Sequence, residues 1–150
     1  MTITEKVRKK LMMLHAGIAD ILAEIKAGTC PVGKITRIIR AINDSIVKLD
    51  SLPRMFEAAA INAKLPGSEK AIIVDRAKTA KANITKFLVS VKEKLGNLEQ
   101  DCPGMVIESL EHYMVMSDKL IENRIRHLTD ELDEAEAMVR VAAAAEEVFA

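Results

Sequence analysis

Aromatic and chain-breaking residues are scarce in this sequence. It contains no Trp, one Tyr and three Phe, and only six Gly and four Pro among its 150 residues. Apolar residues still make up 49% of the chain and charged residues 29%, which is enough to build a sizeable core in one domain. This composition is typical of helical proteins. The shortage of aromatic rings also disfavours nucleic-acid binding by base stacking.

Long apolar runs are absent as well. No stretch approaches the roughly 20 apolar residues of a membrane-spanning helix. The first residues place a basic cluster before "LMML", as a signal peptide would, but His15, Asp20 and Glu24 interrupt the apolar run at helical spacing. We therefore expect a cytoplasmic protein with no membrane span, in which the two cysteines are reduced thiols.

The common catalytic and ligand-binding motifs are missing too. In "GTCPVGKIT", Ile35 stands where a phosphate-binding loop needs a hydroxyl residue. His15 and His112 fall at similar heights of a helical bundle, but Met12 and Ser109 stand where a di-metal bundle has glutamates, three residues before each histidine. We expect both histidines at the surface, and we expect no enzyme activity, cofactor or metal.

The spacing of the apolar residues predicts an all-α protein, an antiparallel up-down four-helix bundle with a kinked second helix and a long, overhanging fourth helix. A single domain is expected over residues 1–150. The predicted helices cover about residues 3–27, 31–63 with a kink near 52, 68–96 and 103–148.

Local signals set these bounds. Thr2 and Glu5 have the spacing of a capping box, and Gly28 is placed to end the first helix. Pro53 removes a helical hydrogen bond and crowds the preceding turn, so it predicts a kink or short break near residues 49–52. Gly96 is expected to end the third helix.

The fourth helix is predicted to be the longest, at about 65 Å against about 35 to 45 Å for the others. Its C-terminal third should overhang the bundle and leave apolar side chains in water, so that another chain has to cover them. The predicted oligomer or partner interface comprises Leu128, Leu132, Ala135, Val139, Ala142 and Phe149.

Charge is unevenly distributed along the chain although the formal net charge is zero. Residues 1–100 carry 18 basic and 10 acidic side chains, a net +8, and residues 101–150 carry 4 and 12, a net −8. One part can therefore attract the other, within one chain or between chains.

Each of the two cysteines directly precedes a proline at a predicted helix start. In an up-down bundle these starts lie at the same end, so Cys30 and Cys102 are predicted to form a disulfide or a pair of neighbouring thiols. The alternative is that each cysteine fills a small, half-buried capping position.

Basic residues also cluster on two predicted helices. Such a surface is a candidate contact for an anion or a nucleic acid, and the alternative is a solvated or partner-facing surface. The candidate residues are Lys34, Arg37, Arg40, Lys78 and Lys81.

Together these features predict a non-enzymatic helical-bundle protein that acts by self-association or by docking a helical partner, as a structural or assembly subunit or an adaptor. The alternative is a nucleic-acid-binding regulator that uses the basic helices. A third reading is a carrier with a ligand or metal in the bundle core.

Overall fold

A computed structural model describes the backbone of residues 2–101 and 118–149, and the side chains of residues 2–97 and 122–142. All regular secondary structure within these ranges is α-helical. The helices are α1 (Ile3–Lys26), α2 (Val32–Leu49), α3 (Leu52–Asn62), α4 (Gly67–Asp101) and α5 (Asp118–Phe149).

These helices form a four-helix bundle, which confirms the predicted fold class. Because α2 and α3 together make one bent helix, the bundle has four packed units. α4 contacts α2, α3 and α5, and α1 contacts α2 and α5. α1 and α5 run in opposite directions. Thr4, at the start of α1, bonds to Glu136, whereas Arg8, further along α1, bonds to Thr129, which comes earlier in α5. The up-down order of the whole bundle stays a prediction.

The first helix begins and ends at the signals found in its sequence. The Thr2 hydroxyl accepts a hydrogen bond from the Glu5 backbone N–H at 3.1 Å, and the Glu5 carboxylate accepts one from the Thr2 backbone N–H at 3.3 Å. Gly28 adopts a φ of 93°, a conformation that favours glycine, directly after the helix. The capping box and the glycine stop are therefore confirmed.

The bend in the second unit lies where Pro53 predicted an interruption. α2 ends at Leu49, a turn follows at residues 50–51, and Pro53 occupies the first turn of α3. A proline fits there because the first N–H groups of a helix have no helical partner. The Ser51 hydroxyl donates to the Lys48 carbonyl at 2.8 Å and thereby satisfies one carbonyl at the end of α2.

The third predicted helix is longer than its sequence indicated. α4 passes through Gly96 and continues to Asp101, so the expected stop at Gly96 is wrong. A glycine inside a helix costs only about 1 kcal/mol relative to alanine, whereas Val91 and Leu95 on the same helix are buried in the core. The first part of the predicted fourth helix, residues 103–117, lies outside the described residues.

The core is formed by the apolar faces of all the helices. Gly17 marks the closest approach of α1 and α2, since a Cβ atom at this position would overlap the Cδ1 atom of Ile38. The largest fully buried side chains are Phe56, Ile18, Ile21, Leu22, Ile35, Ile42, Ile73, Ile84 and Leu95.

Candidate functional site

The predicted partner interface on the last helix is largely part of the core. Leu132 and Ala135 are 0% exposed, and Leu128 and Val139 are half-buried against the core. The expectation that these side chains face water is therefore wrong. Ala142 is also half-buried, and the side chain of Phe149 lies outside the described ones.

The reason is that the other helices reach further along α5 than expected. The Arg76 guanidinium on α4 lies 3.0 Å from the Glu131 carboxylate and also pairs with Glu134. The Arg124 guanidinium of α5 lies 5.1 Å from the ring centre of Phe87 on α4, so the two helices run in opposite directions. Gly67, the start of α4, lies nine residues before Arg76 and therefore matches about residue 143 of α5, which extends past it by only about six residues, or about 9 Å. The overhang is two turns of helix and not a third of its length.

Several polar contacts fix α1 against α5. Arg8 donates from Nε to the Thr129 hydroxyl at 2.8 Å and pairs with Asp133 at 2.5 Å. The Thr4 backbone N–H donates to the Glu136 carboxylate at 3.1 Å. Part of the attraction between the basic and acidic parts of the sequence is therefore used within one chain.

The predicted basic contact residues do not form one surface. The Lys34 ammonium group lies 2.9 Å from the Asp20 carboxylate and 2.8 Å from that of Glu24. Lys81 lies 3.0 Å from the carboxylate of Asp50. Lys34 and Asp50 are at opposite ends of α2, about 24 Å apart along the helix. The other three residues, Arg37, Arg40 and Lys78, are exposed.

The ion pairs also change the electrostatics of Lys34. Hydrogen bonds to Glu24, and secondarily to Asp20, raise the pKa of its ammonium group above the ordinary lysine value. Lys34 is thus held in its charged form by α1, and its charge is balanced inside the chain.

Cys30 lies in the loop before α2 and takes part in a disulfide bond. The expectation of a reduced thiol at this position is therefore wrong. Its predicted partner Cys102 lies outside the described residues, so the pairing of the two stays a prediction.

The histidines offer no metal site within the described ranges. His15 is buried, which corrects the expectation that it lies at the surface, while His127 is exposed beside Asp130. His112 lies outside these ranges. Residues 2–101 and 118–149 bring no three His, Cys, Asp or Glu side chains together as metal ligands would be.

One surface feature was missed by the sequence analysis: an apolar groove beside the junction of α2 and α3, with a volume of about 460 Å³. We call it the lysine-rimmed groove. Its apolar surface is formed by Ile3, Val7, Leu11, Leu49, Leu52, Met55, Ile84 and Leu88, and its polar lining by Lys6, Lys10, Lys48, Ser45 and Ser51.

The three lysines give this groove a positive rim on two helices. Lys6 and Lys10 lie one turn apart on α1, and Lys48 lies on α2. All three are exposed, and none of them forms an ion pair with another described residue. Asp50 is close in sequence to Lys48, but its carboxylate pairs with Lys81. Within the part of the chain that the structure describes, the rim therefore carries three lysines that have no ion-pair partner.

The serine hydroxyls of the groove are engaged with the backbone. Ser45 donates to the Ala41 carbonyl at 2.8 Å, and Ser51 donates to the Lys48 carbonyl at the same distance. The groups left for a ligand are thus ammonium groups and apolar side chains. This combination suits a partner that is apolar on one side and acidic at its edges.

A sequence signal for the α1 wall of the groove did exist. Lys6 and Lys10 are four residues apart and flank the apolar seam that contains Val7 and Leu11. The opposite wall depends on where α2 gives way to α3 and on Ile84 of α4, and helical periodicity alone does not say which helices meet there.

Comparisons with known proteins identify no relative of this chain. Neither the family models, nor the curated proteins, nor the solved structures contain a match to the chain. Within the described ranges, every helix is too short or too polar to cross a lipid bilayer.

Proposed function

We propose that this protein is a non-enzymatic helical-bundle module that docks an acidic, amphipathic helix in its lysine-rimmed groove. The observation that carries the proposal is the pairing of an apolar floor, including Leu11, Ile84 and Leu88, with three lysines that have no acidic partner among the described residues. Such a protein would work as an assembly subunit or adaptor.

A helix fits the dimensions of this groove. The α1 wall runs from Ile3 to Leu11, about 12 Å at 1.5 Å per residue, which corresponds to about two turns of a docked helix. Lys6 and Lys10 line one wall and Lys48 the other, so carboxylates along both edges of a helix would each find a lysine. Burial of apolar side chains would supply most of the affinity, and the charges would set orientation and association rate.

A nucleic acid fits the structure less well. Of the five basic residues predicted as contacts, Lys34 and Lys81 are already paired with carboxylates of their own chain. The lysines of the groove surround an apolar floor, which a phosphate backbone does not use.

Titration of a labelled synthetic helix tests the proposal. The probe is a two- to three-turn stapled peptide with Leu and Val on one face and Glu at both edges, followed by fluorescence anisotropy against the full chain. Replacing the lysines of the rim together, as Lys6→Gln, Lys10→Gln and Lys48→Gln, should weaken binding at least about tenfold, because each apolar contact would remain but the flanking charges would be lost.

A matched variant controls for net charge. Lys9→Gln, Lys78→Gln and Lys86→Gln remove the same charge from exposed positions outside the groove, and this triple variant should bind the peptide like the unmodified protein. The proposal is overturned if the unmodified protein does not bind the peptide, or if both triple variants lose the same affinity. Tighter binding of a random DNA duplex than of the peptide would favour the nucleic-acid reading.

A further inference from the structure

We infer that Gly17 sets the width of the lysine-rimmed groove and thereby decides which partner helices fit into it. The inference rests on the proposed function, because it concerns the specificity of that same groove. Gly17 does not itself line the groove. It is a positioning residue, which acts through the separation of α1 and α2.

α1 and α2 pack side by side in opposite directions, and their contacts give the register. The Lys34 ammonium group of α2 lies 2.9 Å from the Asp20 carboxylate of α1. Four residues further along α2, the side chain of Ile38 lies against Gly17, so that a Cβ atom on this glycine would overlap the Cδ1 atom of Ile38. Later residues of α2 therefore lie beside earlier residues of α1.

Beyond this contact the two helices part to form the groove. Counting seven residues onward from it along each helix reaches Lys10 on α1 and Ser45 on α2, and both residues line the groove. Between them the groove is also lined by Ile84 and Leu88 of α4. A third helix can line the space between two others only where those two have separated. Gly17 thus marks the point at which the groove closes.

The missing side chain at Gly17 is what permits this close approach. The axes of packed helices normally lie about 8 to 10 Å apart, at a distance set by the side chains in the contact. Ile38 is half-buried and packs against the core, so its Cδ1 atom is confined by other neighbours. A methyl group at position 17 would therefore push the two helices apart.

A displacement at Gly17 reaches the rim of the groove enlarged. The loop of residues 27–31 joins the other ends of α1 and α2 and keeps them together. Gly17 lies nine residues from the C-terminal end of α1, and Lys10 lies 16 residues from it, so a displacement at Gly17 is about doubled at Lys10 if the helix stays straight. Lys6 and Lys10 would then move away from Lys48, and the groove would widen.

The width of the groove determines the size of the side chains that it accepts. One methylene group more or less in an apolar pocket changes the affinity for a ligand by about 10- to 200-fold. A narrow groove therefore favours Leu and Val on the apolar face of the partner helix, and a wider groove favours Phe.

Methyl NMR of the free protein tests the geometry without any partner. Gly17→Ala should shift the methyl resonances of Leu49 and Leu88, which line the groove on α2 and α4. The control Gly33→Ala adds the same methyl group to α2 at a position where a Cβ atom meets nothing within 4 Å, and it should leave these resonances in place. Adding Ile38→Val to Gly17→Ala removes the overlapping Cδ1 atom and should return the resonances toward their original positions.

Two stapled peptides test the effect on specificity. Both carry Glu at their edges, and the apolar face bears Leu and Val in the first and Phe and Val in the second. Gly17→Ala should shift the ratio of their dissociation constants at least about fivefold in favour of the Phe peptide. A loss of stability alone would weaken both peptides alike and leave this ratio unchanged. Adding Ile38→Val should restore the ratio, and Gly33→Ala should not alter it.

The outcomes separate this inference from the proposed function. If both peptides bind but Gly17→Ala leaves their ratio unchanged, the inference is overturned and the proposed function stands. Unchanged methyl resonances in Gly17→Ala would show that Ile38 alone gives way, which also overturns the inference. If the resonances shift but neither peptide binds, the proposed function fails although Gly17 still sets the width of the groove.

Discussion

At the scale of single residues, Leu132 shows how much depends on the neighbouring helices. Its side chain has the sequence spacing of an exposed seam, yet it is fully buried against the rest of the bundle. The Leu132→Ala change should lower the free energy of unfolding by about 2 to 5 kcal/mol, because it removes buried methyl groups and leaves a cavity. Urea titration followed by circular dichroism measures this loss.

Val141→Ala provides the comparison, since this residue on the same helix is mostly exposed. It should change the stability by less than about 0.5 kcal/mol. If Leu132→Ala left the free energy of unfolding unchanged but altered the mass of the protein assembly in solution, Leu132 would belong to a partner interface after all.

The ion pairs of Lys34 predict that the stability of the protein depends on pH in the alkaline range. Its carboxylate partners raise the pKa of the ammonium group in the folded state, so its contribution to stability is fully present below the ordinary lysine pKa of 10.5 and is lost as the pH rises through the raised value. Lys34→Met should therefore melt at a slightly lower temperature than the unmodified protein at pH values near neutrality. The difference should disappear above the raised pKa.

The effect should be small because the side chains of Lys34, Asp20 and Glu24 are all partly exposed to solvent. Lys78→Met, at an exposed site with no ion pair among the described residues, should show no such pH-dependent difference. A Lys34→Met difference that grew with rising pH would contradict the assignment.

At the scale of secondary-structure elements, the turn between α2 and α3 determines the behaviour of Pro53. The proline lies in the first turn of a separate helical segment, where its restricted φ agrees with the native backbone. Pro53→Ala should therefore decrease stability by about 0.4 to 1 kcal/mol, mainly by giving the unfolded chain more freedom. Thermal melts of both forms measure the difference.

Arg54→Ala, at the exposed next position, should stay within about 0.5 kcal/mol of the unmodified protein. An increase in stability on Pro53→Ala would instead mean that α2 and α3 are one strained, continuous helix.

The helix bounds show which elements can be predicted from sequence and which cannot. Thr2, Gly28 and Pro53 act through their own backbone neighbours, so their effects follow from local chemistry. Gly96 was misleading because its local preference is weak, and burial of Leu95 on the same helix outweighs it. Whether a helix continues through such a glycine depends on how its side chains pack against the other helices.

At the scale of the whole molecule, we expect the chain to need α5 in order to fold, because α5 contributes buried residues to the core. A chain that ends at Asp130 lacks Leu132, Ala135 and the Asp133 partner of Arg8. This truncated chain should lose its cooperative thermal transition, because the core and the α1 contacts are both incomplete. A chain that ends at Ala142 should keep that transition.

Differential scanning calorimetry distinguishes the two truncations. A sharp transition in the chain ending at Asp130 would show that the first four helices fold alone and that the last turns of α5 are an appendage.

The candidate site was also predictable only in part, because it depends on which helices pack against each other. The charge asymmetry of the sequence correctly pointed to attraction between its two parts, as in Arg8 with Asp133 and Arg76 with Glu131. The sequence did not reveal that Asp20 and Glu24 neutralise Lys34, or that Lys48 stands across a groove from Lys6. These relations depend on which helices become neighbours, and helical periodicity carries no such information.

The bonds between α1 and α5 also set an order of events during synthesis. Thr4 and Glu136 are 132 positions apart in the chain, so α1 leaves the ribosome long before its partner exists. At about 5 to 20 residues per second, the synthesis of these 132 positions takes about 7 to 26 s. During those seconds the side of α1 that will meet α5 has only water or a chaperone to cover it.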